Sequence, residues 1–103
     1  MKIGEINSVY FLGVGGIGMS ALARYFLAEG CAVYGYDKTR TVLTSQLEKE
    51  GIQIHYDENT GMIPSEFKKV NSDSLVVYTP AIPKDNTEFC FFLDQNIRLY
   101  KRS

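Results

Sequence analysis

Gly13, Gly15 and Gly18 are spaced as GxGxxG within Gly13-Val14-Gly15-Gly16-Ile17-Gly18-Met19-Ser20, between the apolar run Val9-Tyr10-Phe11-Leu12 and a stretch of helical character. A strand, a glycine turn and a helix start in this order form a cradle for a pyrophosphate. The first glycine permits a tight turn, the second lets the backbone come close to phosphates, and the third lets helix and strand pack closely. The N–H groups of the first helical turn then face the anion, helped by the helix dipole. Gly15, Gly16, Ile17, Gly18, Met19 and Ser20 are therefore the candidate diphosphate contacts.

Asp37 follows the next strand-like run, Cys31 to Tyr36, and stands where a carboxylate can accept hydrogen bonds from ribose hydroxyls. Its other reading is a solvated residue helping to cap the following helix. Thr79 ends the β-branched run Ser74-Leu75-Val76-Val77-Tyr78 and opens a rigid loop, Thr79-Pro80-Ala81-Ile82-Pro83, that cannot join a ladder. Its hydroxyl can meet a ligand or serve as a turn residue before Pro80. Asn86 reads as a helix cap. His55, the one histidine, is a weaker ligand candidate, since a lone imidazole is more often structural.

No catalytic constellation can be assembled. The carboxylates Glu48 and Glu50, Asp57 and Glu58, and Asp85 and Glu88 fall in helix flanks or loops, where solvated charge is the default. There is no Ser/His/Asp set, and Cys31 and Cys90 have neither an activating setting nor a metal-type spacing, so no metal site is expected. No GxxxxGK(S/T) loop is present, which removes ATP turnover by that route. The chain is expected to bind and not to catalyse.

The elements that must position these residues follow from the periodicity. Ser8–Leu12 is the first strand. The helix from Ile17 to about Glu29 is apolar nearly all round (Met19, Leu22, Ala23, Phe26, Leu27), with Ser20 and Arg24 on one polar stripe, and Gly30 stops it. Cys31–Tyr36 is the second strand. A helix over 42–50 follows, capped by Thr39 or Thr41 and closed by Gly51, and Ile52–His55 is the third strand. The segment 56–71 is the least patterned and holds a short helix around 65–70. After the strand 74–78, Asp85 or Asn86 caps a last helix in which Phe89, Phe92 and Leu93 share the face toward the sheet and Phe91 points away. Ile97–Tyr100 is the fifth strand. Strands alternating with helices give an α/β, Rossmann-like open parallel sheet of order 3-2-1-4-5, helices on both faces, with the switch point between strands one and four. The glycine loop, Asp37 and the Thr79–Pro83 loop then rim one crevice.

At 103 residues, 45% hydrophobic and 22% charged, the chain is one ordinary globular domain, residues 1–103. A net charge of -1 gives no reason to propose nucleic acid or an anionic membrane as partner. The two cysteines read as free thiols in a reducing compartment, and no run is long enough to span a bilayer, so a cytoplasmic location is expected.

The glycine loop with Met19-Ser20, Asp37, Leu47-Glu48 with Gly51, the run Val76 to Pro83, Asp85-Asn86 and the basic pair Lys101-Arg102 together resemble the N-terminal domain of a Mur ligase. That resemblance covers nearly the whole chain. It implies an excised UDP-substrate domain, with a central ATPase and a C-terminal amino-acid domain lying outside it. It also implies UDP-N-acetylmuramate as ligand and a role in peptidoglycan precursor synthesis. In that reaction ATP and magnesium, held by the other domains, convert the muramoyl carboxylate to an acyl phosphate that the amine of L-alanine attacks. By resemblance, Gly15 to Ser20 would hold the diphosphate, Asp37 would meet the ribose, and Thr79, Pro80, Ala81 and Ile82 would line the uridine side. The isolated domain would need no cofactor and show no ligase activity. Tyr36 departs from the small residue more usual beside the acid, and His55 matches the family's loop histidine only if the alignment is shifted. The rival reading is an NAD(P)-binding regulatory or oxidoreductase domain. It shares the loop, the acid and the strand order, but needs a second mononucleotide-binding half. A further rival is a domain kept only for interaction, with a decayed site.

Overall fold

The apolar run Ser8–Leu12 is β1, and every residue in it is buried because strands pair with it on both sides. The computed structural model describes residues 3–102. Within them β2 (Ala32–Tyr36), β3 (Gln53–His55), β4 (Ser74–Tyr78) and β5 (Leu99–Lys101) join β1 in a five-stranded sheet of order β3-β2-β1-β4-β5, parallel at every pairing. The predicted strand order is the one found.

Alternation along β1 divides the core. Val9 and Phe11 face a cluster built with Met19, Ala23 and Phe26 of α1 (Ile17–Ala28) and Leu47 of α2 (Val42–Glu50). Tyr10 and Leu12 face the other side, against Phe92 of α3 (Thr87–Asp94) and the connecting residues Ile63 and Phe67. Helices thus lie on both faces, although the second is covered partly by single 3-10 turns at Thr60–Met62 and Ser65–Phe67. The short helix expected around 65–70 is no more than the second of these turns. Among the described residues, no helix is long and apolar enough to cross a membrane.

Local chemistry settles the helix ends. Thr41, not Thr39, caps α2: its hydroxyl accepts from Thr44 N–H at 3.1 Å while the Thr44 hydroxyl accepts from Thr41 N–H at 2.8 Å. Asn86, not Asp85, caps α3 by accepting from the N–H groups of Glu88 and Phe89, each at 3.0 Å. Ser20 is not on an exposed stripe. It is buried, and its hydroxyl donates to the Ile17 carbonyl at 2.9 Å, whereas Arg24 reaches Glu50 at 2.8 Å.

The last third departs most from expectation. Leu93, expected against the sheet, is 53% exposed, and Phe91, expected to point away, packs on the Phe92 ring with 5.7 Å between centroids. The face that meets the sheet is centred on Glu88 and Phe92, one turn apart. β5 starts at Leu99, two residues after Ile97. Asn96 takes a positive φ of 57° and Ile97 N–H bonds back to the Phe92 carbonyl, so the helix exit uses those residues. The third strand likewise starts at Gln53, leaving Ile52 as a core residue before it.

Candidate functional site

Parallel strands all deliver their carboxyl ends to one edge, and at the β1/β4 switch point a cleft of about 430 Å³ opens there. It is lined by Gly13 and Gly16 of the glycine loop, Asp37 after β2, and Thr79, Ala81 and Ile82 after β4. Five of these six, all but Gly13, are sequence candidates, and the fold brings them together. Tyr36, Lys38, Glu58, Pro83 and Asn86 complete the lining. All but Glu58 sit within a few residues of a named candidate; Glu58 comes from the least patterned segment, which gave no signal for it.

The other candidates lie around the cleft without lining it. Ile17 opens α1 and is 88% exposed, Met19 and Ser20 are buried, and Pro80 is exposed on the outer side of its loop. His55 is turned inward from the end of β3, toward Tyr10 and Glu88. A separate depression of about 290 Å³, near Ser74, Lys69 and Arg98, meets none of these residues.

Gly13 makes the turn with a φ of 92° and donates its N–H to the Tyr36 carbonyl at 2.8 Å. Asp37 organises the loop from across the cleft. Its Oδ2 accepts from Gly15 N–H at 2.8 Å and its Oδ1 from Thr39 N–H at 3.0 Å. It is therefore not the cap of α2, which Thr41 supplies. A Cβ on Gly15 would stand 2.8 Å from that Oδ2 and from Thr44 Cγ2, so the approach needs a glycine. At the start of α1, Gly16 offers no side-chain cap. The N–H groups of Ile17, Gly18 and Met19 are the first-turn donors that a helix leaves without intrahelical partners. Thr79 Oγ1 accepts from Ala81 N–H at 3.4 Å, a turn contact that keeps the hydroxyl at the cleft wall.

Next to Glu58 and Asn86 of the cleft lining lies a buried polar network. Glu88, expected to be solvated, is 0% exposed. Its Oε1 accepts from the Tyr10 hydroxyl; its Oε2 lies 2.7 Å from His55 Nε2 and accepts from Asn59 N–H at 3.0 Å. His55 Nε2 also lies 3.2 Å from the Tyr10 hydroxyl, which closes the network. Glu58 Oε1 accepts from Thr87 N–H at 2.8 Å, which ties the loop after β3 to the start of α3. Burial raises the Tyr36 hydroxyl pKa above its ordinary value, and the Glu58, Glu88 and Asp37 carboxylates add to that, opposed by a hydrogen bond from Asn86.

Tyr10 is raised far more, first by burial and then by the charge of Glu88 and the hydrogen bond to it. The unfolded chain releases this proton near the ordinary value of 10.0. Above that pH the unfolded state binds fewer protons than the native one, so stability falls as pH rises. The slope from Tyr10 is about 1.4 kcal/mol per pH unit. Urea unfolding followed from neutral to strongly alkaline pH should show this decline, and Tyr10→Phe should flatten it. A native chain in which all seven tyrosines ionise at their ordinary pH would contradict it.

An open parallel sheet with a glycine turn at its switch point is a Rossmann-like domain. The model of the Mur ligase family, catalytic domain, matches residues 8–103. This chain belongs to the Mur ligase family. It is 52% identical over 103 residues to a UDP-N-acetylmuramate–L-alanine ligase of Parabacteroides distasonis, covering 100% of this chain and 22% of that protein. To the enzyme of the same name from Porphyromonas gingivalis it is 52% identical over 98 residues, 95% of this chain and 21% of that one. The crystal structure of UDP-N-acetylmuramate–alanine ligase from Thermotoga maritima matches with a TM-score of 0.79 and 31% identity, over 92% of this chain and 20% of that one. The chain thus spans about a fifth of the length of the relatives it matches.

Proposed function

We propose that this chain is the UDP-substrate-binding domain of a UDP-N-acetylmuramate–L-alanine ligase, acting in peptidoglycan precursor synthesis in the cytoplasm. The observation that carries the reading is the likeness, along the whole chain, to proteins of that name. The cleft supports it by offering first-turn N–H groups to a diphosphate, a carboxylate beside them for ribose, and an apolar wall at Ala81 and Ile82 for a pyrimidine. Gly15 N–H is already committed to Asp37 and Gly16 N–H to the Gly13 carbonyl, so phosphate oxygens meet the donors of Ile17 to Met19 first. Each Asp37 oxygen accepts one backbone N–H and has capacity left for a ribose hydroxyl. Ser20 contributes through its place in the first turns of the helix, its hydroxyl being bonded to Ile17. Pro80 stiffens the wall from outside, and His55 acts through Glu88.

The ligase reaction needs ATP and magnesium, and the residues here do not fit them. There is no GxxxxGK(S/T) loop. Among the described residues no group of three His, Cys, Asp or Glu could hold a metal. The chain's own task is to bind and orient UDP-N-acetylmuramate while the rest of the ligase activates its carboxylate. Nothing in the relatives favours the NAD(P) reading.

Titration followed by NMR, with UDP-N-acetylmuramate and separately with NAD, tests this. Shifts from the sugar nucleotide are expected at Gly16, Asp37 and Ala81. Tight NAD binding with no response to the UDP ligand would overturn the reading. Gly15→Val, which drives bulk into the Asp37 carboxylate, should weaken the UDP ligand at least about tenfold, roughly 1.4 kcal/mol.

A further inference from the structure

We propose that Tyr36 is a specificity-determining residue of this cleft, its hydroxyl donating a hydrogen bond to a carbonyl oxygen of the pyrimidine base. This deepens the nucleotide reading above and rests on it. Tyr36 ends β2, is 4% exposed, and lines the cleft together with Asn86. Both ends of the residue are fixed. Its carbonyl accepts from Gly13 and Val14 N–H at 2.8 and 3.1 Å, and its ring rests against His55 with 5.6 Å between centroids. The side chain belongs to the apolar cluster on the α3 face of the sheet, on which Ile82 also packs, whereas α1 packs on the opposite face. The end of the cleft at Tyr36 is therefore the one remote from the start of α1, with Ile82 as an apolar wall beside it.

Hydrogen-bond accounting leaves this hydroxyl with a proton to give. Asn86 Oδ1 accepts from the N–H groups of Glu88 and Phe89, each at 3.0 Å, so the amide turns its Nδ2 toward Tyr36. Nδ2 only donates; the Tyr36 oxygen accepts there, and its own proton points elsewhere. The carboxylates whose charge reaches the hydroxyl are Glu58, Glu88 and Asp37. Each is held by other donors: Glu58 by Thr87 N–H, Glu88 by the Tyr10 hydroxyl and Asn59 N–H, and Asp37 by Gly15 and Thr39 N–H. Among the described residues none of them accepts from Tyr36. A nearly buried hydroxyl proton needs an acceptor, and a ligand seated in the cleft supplies one. Charge decides which ligand group fits. The surrounding carboxylates repel a phosphate at this position, whereas a neutral carbonyl oxygen meets no such repulsion. Burial and the same charges keep the hydroxyl protonated, and so a donor, throughout the neutral range. Because ring and backbone are already fixed, little freedom is lost when the ligand arrives.

The test is calorimetric titration of the unmodified chain and of Tyr36→Phe with UDP, inorganic pyrophosphate, and the 2-thio and 4-thio analogues of UDP. Tyr36→Phe keeps the ring in the core and removes only the hydroxyl. It should weaken UDP by about fivefold to tenfold, the worth of one neutral hydrogen bond, and leave pyrophosphate unchanged. Sulfur is a poor acceptor. The analogue whose thiocarbonyl faces Tyr36 should therefore bind the unmodified chain about as weakly as UDP binds the variant, and should lose nothing further in the variant. The other analogue should show the full loss. Unchanged UDP affinity in Tyr36→Phe, an equal loss for pyrophosphate, or the same loss for both analogues would overturn the proposal; the last is what an effect passed through Asn86 alone would give. If the unmodified chain binds no UDP, the nucleotide reading itself fails.

Discussion

Glu88→Ala is expected to remove about 3–5 kcal/mol from the unfolding free energy, since it strips buried donors of their shared acceptor at about 1–3 kcal/mol each. Domains of this kind are stable by about 5–15 kcal/mol in total, so the variant should sit near the edge of folding. The cost comes from what is left behind. The Tyr10 hydroxyl is fully buried and Asn59 N–H is directed at the carboxylate, and both lose their acceptor together with His55. Glu88→Gln keeps the shape but turns an amide N–H₂ toward donors, and should cost about 1–3 kcal/mol. Urea unfolding monitored by circular dichroism measures both. A Glu88→Ala chain within about 1 kcal/mol of the parent would mean that water takes over the acceptor role. Because Asn59 adjoins Glu58, the same variant should loosen the cleft wall at that end.

Gly13→Ala carries the other large effect, and it joins fold to site. Gly13 holds a φ of 92°, a conformation that costs a residue with a Cβ about 1–3 kcal/mol. The added methyl would also stand 2.3 Å from Thr79 Cγ2. Strain and overlap together should destabilise the chain by about 2–4 kcal/mol. The Thr79 loop should also swing away from the glycine turn, weakening UDP-N-acetylmuramate. Adding Thr79→Ser removes the clashing methyl and should recover the overlap share only. Full recovery in the double variant would show that the backbone is not strained at Gly13.

Which features could be read from sequence follows from the range of the interactions. The runs Ser8–Leu12 and Ser74–Tyr78 are continuous and mostly apolar because both faces of a central parallel strand are covered, and the alternation of such strands with helices led to the sheet order. The glycine loop, Asp37 and Thr79 were legible because chain order alone takes the ends of parallel strands to one edge. Glu88 was not. Its partners Tyr10, His55 and Asn59 lie 78, 33 and 29 residues away, and a carboxylate read without them looks solvated. That misreading rotated α3, since an apolar face drawn around Phe89, Phe92 and Leu93 leaves no room for a buried acid. The role of Asp37 was hidden for a similar reason. A backbone donor such as Gly15 N–H leaves no mark in a residue pattern.

The pairing of β1 with β4 has one more consequence. Ser8 and Ser74 touch through their hydroxyls across a separation of 66 residues, and this is where the two halves of the sheet are joined. The β1–α1–β2 half closes on itself over a short loop, whereas the join to β4 closes a longer one at a greater entropic cost. The crevice opens at the end of that seam, with Gly13 and Gly16 on one bank and Thr79 to Pro83 on the other. A nucleotide seated there, as proposed, would grip both banks and so work as a rivet across the seam.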